Sequence, residues 1–465
     1  MDKARLFAAL PYPLKMVAAA ARGYYLDRWR YDAATPARVA AAHQRESWSA
    51  DRWAAYQEER LVRLLVHASR AVPYYREAWL ARRRRGDQAA VEELANWPIL
   101  GKNELRQNPR AFLADTPDRP RLFPESTSGS TGTPISLFWD AETARSWYAL
   151  VEARCRRWHG LTRRDRWALV GGQPIVPASR RRPPFWVWNA AMHQLYLSAN
   201  HLAPDLIPYY LDALRRHQVR WLYGYSSALT TLASYGENHQ ELGLELVMSN
   251  AEPLYQHQRD TLTRAFACPV RETYGMAELV AAASECPAGG LHLWPEVGVL
   301  ELDRGETVAP AVAGGSGELI ATGLLNFAQP LVRYRLGDRL TLAAPGATCA
   351  CGRQLPLLEA IDGRSDDLVI TRDGRRLGRL DPIFKGGLPL LEAQVVQETR
   401  DRLRLRYVPA AGFSPATEAE LRARFRQRVG ELELVFEAVE RLERGRGGKL
   451  RGVVSLLSEA ERRET

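Results

Sequence analysis

The sequence predicts an α/β protein in two parts: a large N-terminal domain with mixed and parallel sheets and a β-rich region, then a small, mobile α+β domain. Three observations point there. The 465 residues exceed what one hydrophobic core usually organises. From about residue 120, short apolar runs ending in Gly or Ser alternate with helical stretches, the pattern of strands joined by crossover helices. Near the end of the chain, strand, strand, helix and strand patterns follow a Gly/Ser/Asp turn segment in quick succession.

Taken in order, residues 1–115 are rich in Ala, Arg and Trp at helical spacing, as in Asp51–His67. The run Leu6–Tyr25 is apolar with basic flanks, but Pro11, Pro13 and Lys15 interrupt it. It is a poor signal peptide and too broken to span a bilayer. We expect a helix packed on the main domain, with peripheral contact to a membrane surface as the alternative, and a cytoplasmic protein. Strands are expected at Trp167–Val170, Trp221–Tyr223 and Leu244–Met248, with helices at Pro208–Arg216 and Gln256–Phe266 between them. Residues 291–360 read as β. The boundary falls at 363–367, giving domains 1–362 and 368–465. In the second, Leu391–Thr399, Arg402–Val408 and Leu432–Val439 read as strands and Thr417–Arg428 as a helix with Thr417 at its N-cap.

Hydrophobic residues make up 46% and charged residues 25% of the chain, which excludes disorder as the default state. The net charge is +10, and of the 64 basic residues 59 are Arg and 5 are Lys. The clusters Arg82–Arg85 and Arg180–Arg182 come with no recognisable nucleic-acid motif, so a solvated basic surface is the simpler reading and nucleic acid is not an expected partner. Oligomeric state is left open, a dimer included. Five cysteines without a secretion signal argue against a disulfide framework. Cys286-x5-His292 and Cys349-x-Cys351 together offer three thiolates and an imidazole, a complete tetrahedral set for zinc; reduced buried cysteines are the plainer alternative.

The strongest local signal is Ser126-Thr127-Ser128-Gly129-Ser130-Thr131-Gly132-Thr133-Pro134. Small hydroxyl residues with two glycines make a loop able to turn sharply and present N–H and O–H groups to a polyphosphate. No Gly-Lys-Ser/Thr ends it, so it is not a Walker A loop. Tyr274-Gly275-Met276-Ala277-Glu278, Tyr334-Arg335-Leu336-Gly337-Asp338, Gly363-Arg364-Ser365-Asp366 and Gly447-Gly448-Lys449-Leu450-Arg451 follow in order.

These five segments resemble the motifs of the adenylate-forming superfamily of acyl-CoA synthetases, adenylation domains and luciferases. Ile135, where that family usually has Lys after the loop's Pro, is similar to the phenylacetate–CoA ligase branch and its capsule-biosynthesis relatives. The resemblance implies ATP binding by Ser128, Gly129, Ser130, Thr131, Gly132, Glu252, Tyr274, Gly275, Met276, Asp338 and Arg364. Tyr274 would face the adenine and Asp338 the ribose hydroxyls. Glu278 would bind Mg²⁺, a hard cation suited to a carboxylate. Lys449, Thr131 and Glu278 would be catalytic, and 363–367 would be the hinge. Lys449 also stands out by itself, as a compact point charge in a chain that uses Arg about twelve times as often as Lys. The branch often carries a metal site, which favours structural zinc at Cys286, His292, Cys349 and Cys351. Tyr223–Ser227 resembles the segment near the acyl pocket, whereas Trp186, Trp188, His193 and His201 read first as core.

The implied reaction joins a small-molecule carboxylic acid to ATP as an acyl-AMP and passes the acyl group to a thiol, coenzyme A first among acceptors. An amide synthetase or carrier-protein loading ligase is the second reading. A non-catalytic nucleic-acid or membrane binder on the same fold is the third.

Overall fold

The computed structural model describes every residue except 1–5, 8, 116–120, 127–134, 173–174, 178–179, 204, 234–237, 252–253, 255, 363–368, 374, 378–379, 385–387, 410–411, 441, 443–452, 459–460 and 462–465. Helices come first, as the spacing predicts: α1 (Tyr12–Arg30), α2 (Thr35–Arg45), α3 (Ala50–Ala71), α4 (Pro73–Arg84) and α5 (Lys102–Gln107). Ser49 caps α3 by accepting the Arg52 N–H, and Trp53, Leu64, Leu65 and Ala68 form its buried stripe. Pro73 opens α4 where a missing N–H leaves no bond unmade. The apolar N-terminal run becomes a helix seated on the body. Gly23 of α1 presses on Asn189, where a Cβ would lie 2.1 Å from the side-chain oxygen, and Phe7, Met16 and Ala19 join the main core. Among the described residues, no helix is long and apolar enough to cross a membrane.

A hairpin of β1 (Phe123–Ser126) and β2 (Ser136–Trp139) leads into α6 (Ala141–Val151). Then come β3 (Trp167–Gly171), β4 (Trp186–Asn189), β5 (Gln194–Ser198), α7 (Ile207–Arg216), β6 (Trp221–Gly224), α8 (Ser226–Ala233), β7 (Leu246–Asn250), α9 (Gln256–Phe266) and β8 (Val270–Gly275). The strands β5, β3, β6, β7 and β8 pair parallel. Both faces of this half are covered, as parallel sheets require. Ala168, Val170, Leu222 and Val247 point to the α7–α9 side, while Trp167, Trp221, Leu246 and Met248 point to the α6 side.

The β-rich region consists of β9 (Ala282–Glu285), β10 (Leu291–Leu293), β11 (Gly298–Asp303), β12 (Val308–Pro310), β13 (Ser316–Gly323), β14 (Tyr334–Leu342) and β15 (Leu357–Asp362). It is not a separate layer. Among the described residues, thirteen strands form one mixed sheet in the order β12-β11-β13-β14-β15-β10-β9-β8-β7-β6-β3-β5-β4. Pairing changes from parallel to antiparallel between β8 and β9. Ion pairs buried beside this sheet hold the helical layer down: Glu296 takes both Arg154 nitrogens at 2.7 and 2.8 Å and Arg45 at 2.9 Å.

The last part has β16 (Val369–Ile370), β17 (Arg376–Leu377), β18 (Leu390–Thr399), β19 (Arg402–Pro409), α10 (Pro415–Val429), β20 (Glu433–Ala438) and β21 (Val453–Ser455). The last four strands make a mixed sheet, β20-β19-β18-β21. Leu403 and Leu405 pack with Leu421, Phe425 and Val429 of α10. Thr417 is not the N-cap expected from the sequence. The helix begins two residues earlier at Pro415, and the Ser414 hydroxyl accepts the Thr417 N–H at 3.4 Å. Proline's fixed φ suits the first helical position, which moves the cap to the residue before it. Two buried arginines clamp this part to the large sheet's connections. Arg428 donates to the Gly172 carbonyl, and Arg375 donates to the carbonyls of Asn200 and Val429. At the rim, Arg181 bridges Asp205 and Asp373 at 2.6 and 2.9 Å.

Candidate active site

Two of the five sequence motifs meet in the structure. Tyr274 and Gly275 end β8, and the chain turns sharply through Met276–Leu279, with Leu279 N–H bonded to the Met276 carbonyl and Leu279 at φ 52°. Tyr334 opens β14, and Asp338 is its middle residue. The Tyr274 hydroxyl donates to Asp338 Oδ2 at 2.9 Å, and the Tyr334 hydroxyl donates to Glu278 Oε1 at 3.3 Å. Each motif thus holds the carboxylate of the other. Gly275 faces the Trp147 ring of α6, 3.4 Å from where a Cβ would stand.

The backbone explains how Asp338 gets there. Ile320 pairs with Arg335, but Glu318 pairs with Arg339, so β14 carries two extra residues opposite β13. Gly337 lies in that bulge at φ +81°, a conformation that favours glycine. The bulge re-aims the side chain that follows it. On either side, Arg333 is locked to Glu301 at 2.9 and 3.0 Å, and Arg335 to Glu318 and Asp303.

The Ser/Gly loop, residues 127–134, lies outside the described residues, as do Glu252, Arg364 and Lys449; Ser128, Gly129, Ser130, Thr131 and Gly132 are therefore unassigned in space. The ends of the loop are described. Ser126 and Ser136 are register partners in the β1–β2 hairpin, and that hairpin is tied to the Glu278 turn by the Trp139 indole N–H, 3.1 Å from the Ala277 carbonyl. Beside Glu252, the Ser249 hydroxyl and the Asn250 side-chain oxygen are buried with no partner among the described residues. They stand at the carboxyl edge of the parallel strands, where α/β sheets bind ligands. Tyr223 at the end of β6 reaches Thr273 and Asn250, and burial raises its phenol well above the ordinary value. Trp186 and Trp188 lie on β4, an edge strand separated from β8 by β7, β6, β3 and β5. His201 bonds Ser198 Oγ and the Pro177 carbonyl, both at 3.0 Å, and burial pushes it down to about 4. The core reading holds for Trp186 and His201 and, half-buried, for Trp188; His193 is not core but exposed, in the turn that leads into β5 at φ 50°. Sequence reasoning missed Glu272, whose carboxylate accepts the Leu254 N–H at 3.2 Å. Burial, with help from Glu285, pushes it up to about 6. No motif surrounds it, and only its place two residues before Tyr274 on an inner strand could have signalled it.

The four metal-type residues converge. Cys286 and His292 flank the β9–β10 turn, and Cys349 and Cys351 sit in the β14–β15 connection. Their ligand atoms lie within 4.8 Å of one another, with Cys286 Sγ to Cys349 Sγ at 3.5 Å and Cys351 Sγ to His292 Nε2 at 3.3 Å. A tetrahedron with zinc–sulfur bonds of about 2.3 Å has edges of about 3.8 Å, so the set fits such an ion. His292 Nδ1 faces the Leu355 carbonyl at 3.3 Å, which turns Nε2 toward the thiols. Burial raises the Cys286 thiol to about 11; Cys351 is also raised by burial, but the N–H groups of Arg353 and the neighbouring thiols outweigh this and lower it. The site is packed under Trp158, ring to His292 ring 5.7 Å, and Arg353 links the loop to Glu46 of the helical layer at 2.8 Å.

Comparison with known proteins agrees with this geometry. The family model described as AMP-binding enzyme matches residues 76–327. Protein CapK of Staphylococcus aureus is 26% identical over 328 residues, 68% of this chain and 69% of its own. The phenylacetate-coenzyme A ligase of Pseudomonas putida is 27% identical over 343 residues, 70% of this chain and 74% of its own; that of Escherichia coli strain K12 is 27% identical over 344 residues, with the same coverage. A crystal structure of 2-hydroxyisobutyryl-CoA ligase with 2-HIB-AMP and CoA shares the fold, with a TM-score of 0.56 at 19% identity over 89% of this chain and 91% of that one. With a family match spanning more than half of its length and two of that family's motifs joined at one site, the chain belongs to the adenylate-forming superfamily of AMP-binding enzymes.

Proposed function

We propose that the protein activates a carboxylic acid with ATP as an acyl-AMP and transfers the acyl group to a thiol, coenzyme A. The observation that carries this reading is the reciprocal pair of hydrogen bonds, Tyr274 to Asp338 and Tyr334 to Glu278. It gathers a nucleotide-type carboxylate and a metal-type carboxylate from segments about sixty residues apart. The coenzyme A part is supported by the curated relatives that are phenylacetate-coenzyme A ligases.

In the proposed reaction, a carboxylate oxygen attacks the α-phosphorus and pyrophosphate leaves; the thiol sulfur then attacks the acyl carbon and AMP leaves. Charge spreads over the phosphate oxygens in the first step. N–H and O–H groups of Ser128–Gly132, with Thr131 among them, and the ammonium of Lys449 would meet that charge. Glu278 would hold Mg²⁺, which when bound neutralises phosphate charge. Glu252, Tyr274, Gly275, Met276, Asp338 and Arg364 would shape the nucleotide site. Residues 368–465 would act as a lid turning about 363–367, taking Lys449 away and admitting the acceptor. Cys286, His292, Cys349 and Cys351 would hold zinc, and four protein ligands leave no open position, so its role is structural.

ATP–pyrophosphate exchange across aryl, fatty and amino acids tests the first step, with Lys449→Ala as control. Exchange with one acid class that disappears in the variant supports the reading. Folded protein that binds nucleotide but exchanges with no acid, while forming no acyl product with any acceptor, sinks it.

A further inference from the structure

Eight large apolar side chains are exposed among the described residues, and half of them, Leu6, Leu14, Val17 and Tyr24, fall within the first 24 positions. Chance would scatter them. Leu14, Val17, Ala21, Tyr24 and Arg28 follow one another at steps of three and four along α1, so they share one stripe of the helix. The opposite side is committed to the body, with Lys15 and Gly23 buried and Gly23 against Asn189. Leu14 remains 52% exposed, Val17 66% and Tyr24 57%. The stripe spans about 15 Å from Leu14 to Tyr24. It is a row of apolar groups held in water by a helix that cannot turn over.

Charge decides what covers it. Arg28 ends the stripe and donates to the Tyr24 hydroxyl at 2.8 Å, and Arg22 is exposed on the same helix. Arg121 lies over the Tyr25 ring, 5.8 Å from its centre. The one acid of α1, Asp27, is engaged with Arg163 at 2.7 Å. A second copy of this face would bring arginines against arginines. A surface of phosphate headgroups over acyl chains matches both the apolar row and its basic rim, and guanidinium groups bind phosphate well.

We propose that the outer stripe of α1 docks on an anionic lipid bilayer, lying in its plane, with Leu14, Val17 and Tyr24 in the acyl boundary and Arg22, Arg28 and Arg121 at the phosphates. The contact is reversible and leaves the rest of the protein in water.

Co-flotation of the full chain with phosphatidylglycerol–phosphatidylcholine vesicles, against phosphatidylcholine vesicles alone, tests this. Wild type floats with the anionic vesicles, less so as salt rises. An arginine near such a surface contributes roughly a factor of five, so Arg22→Gln with Arg28→Gln weakens partitioning about 30-fold. Leu14→Glu with Val17→Glu abolishes it without lowering the melting temperature, because both side chains face solvent. The proposal is overturned if wild type ignores anionic vesicles, if the variants partition as wild type does, or if the stripe substitutions instead dissolve a dimer.

Discussion

Gly290→Ala is the sharpest probe of the metal cluster. A Cβ at this position would stand 2.6 Å from Cys349 Sγ and 3.2 Å from His292 Nε2. The neighbouring Gly289 needs its left-handed φ of +87°, but Gly290 does not lie in that region, so alanine brings a side-chain contact and no backbone strain. Ordinary contact between heavy atoms begins near about 3.5 Å. Cys349 Sγ must therefore retreat by roughly 1 Å, whereas a metal site tolerates about 0.2 Å in its bond lengths. One thiolate leaves the set. Altering even the groups behind the ligands costs 10–100-fold in affinity, so the loss of a ligand lowers zinc affinity by about 100-fold or more, equivalent to about 2.7 kcal/mol. The assay is titration of zinc into apoprotein in competition with a chromophoric chelator, beside metal analysis of the purified protein and melts with and without zinc. Wild type holds one ion per chain and melts higher with it; the variant is substoichiometric and gains less. A variant that keeps one zinc at unchanged affinity, or a wild type that binds none, refutes the reasoning.

Other consequences are as direct. If the proposed role of Lys449 is right, Lys449→Ala removes charge stabilisation at the reacting phosphate and lowers ATP–pyrophosphate exchange by about 100-fold or more while leaving the far-ultraviolet spectrum and ATP binding nearly unchanged. On the proposed assignment of Asp338 to the ribose, Asp338→Ala removes a hydrogen-bond acceptor and weakens ATP by roughly 1.5–3 kcal/mol, read as KM or by calorimetry. Glu296→Gln leaves Arg154, wholly buried, without its counter-charge and destabilises the fold by about 3–5 kcal/mol in denaturant melts at neutral pH. Burial pushes the Glu296 carboxyl up, but Arg154 and Arg45 outweigh burial and hold it below the ordinary range. Its contribution is thus complete above the unfolded value of about 4.3 and lost as pH falls through the folded one. The gap between wild type and Glu296→Gln should narrow in acid; a constant gap would show that the charge on Glu296 is not what matters.

Three strands of the parallel half, β3, β6 and β7, were legible because each is a short apolar run stopped by Gly or a polar residue, as at Gly171, Gly224 and Ser249; β5 and β8, which carry polar residues along their length, were not singled out. The four candidate metal ligands were singled out by their chemistry, but reduced buried cysteines were the plainer reading until the family resemblance favoured zinc, and only the fold brings residue 286 to residue 351. The cap of α10 was misread although Ser414-Pro415 carried the signal. The continuity of the thirteen-stranded sheet was not legible: pairing of β10 with β15 depends on which edges meet, and apolar alternation says only that a strand has two faces. The Glu296–Arg154–Arg45 cluster was equally hidden, because in an Arg-rich chain nothing in the sequence tells a buried guanidinium from a solvated one. The site was read from motifs, whereas its cross-linking, each tyrosine holding the other segment's carboxylate, needed coordinates.

The clamp between the two sheets grips main chain rather than side chains. Arg428 and Arg375 hold carbonyl oxygens of Gly172 and Asn200, and every residue type supplies a carbonyl. Substitution is therefore constrained unevenly across this junction. The arginines are fixed by what they must reach, while the carbonyl-bearing side imposes no side-chain chemistry of its own for the clamp. Gly172 is the exception: a Cβ there would sit 2.6 Å from an Arg428 nitrogen. Drift at this junction should spare the two arginines and that glycine together, and a change at one of the three would call for a matching change at its neighbour.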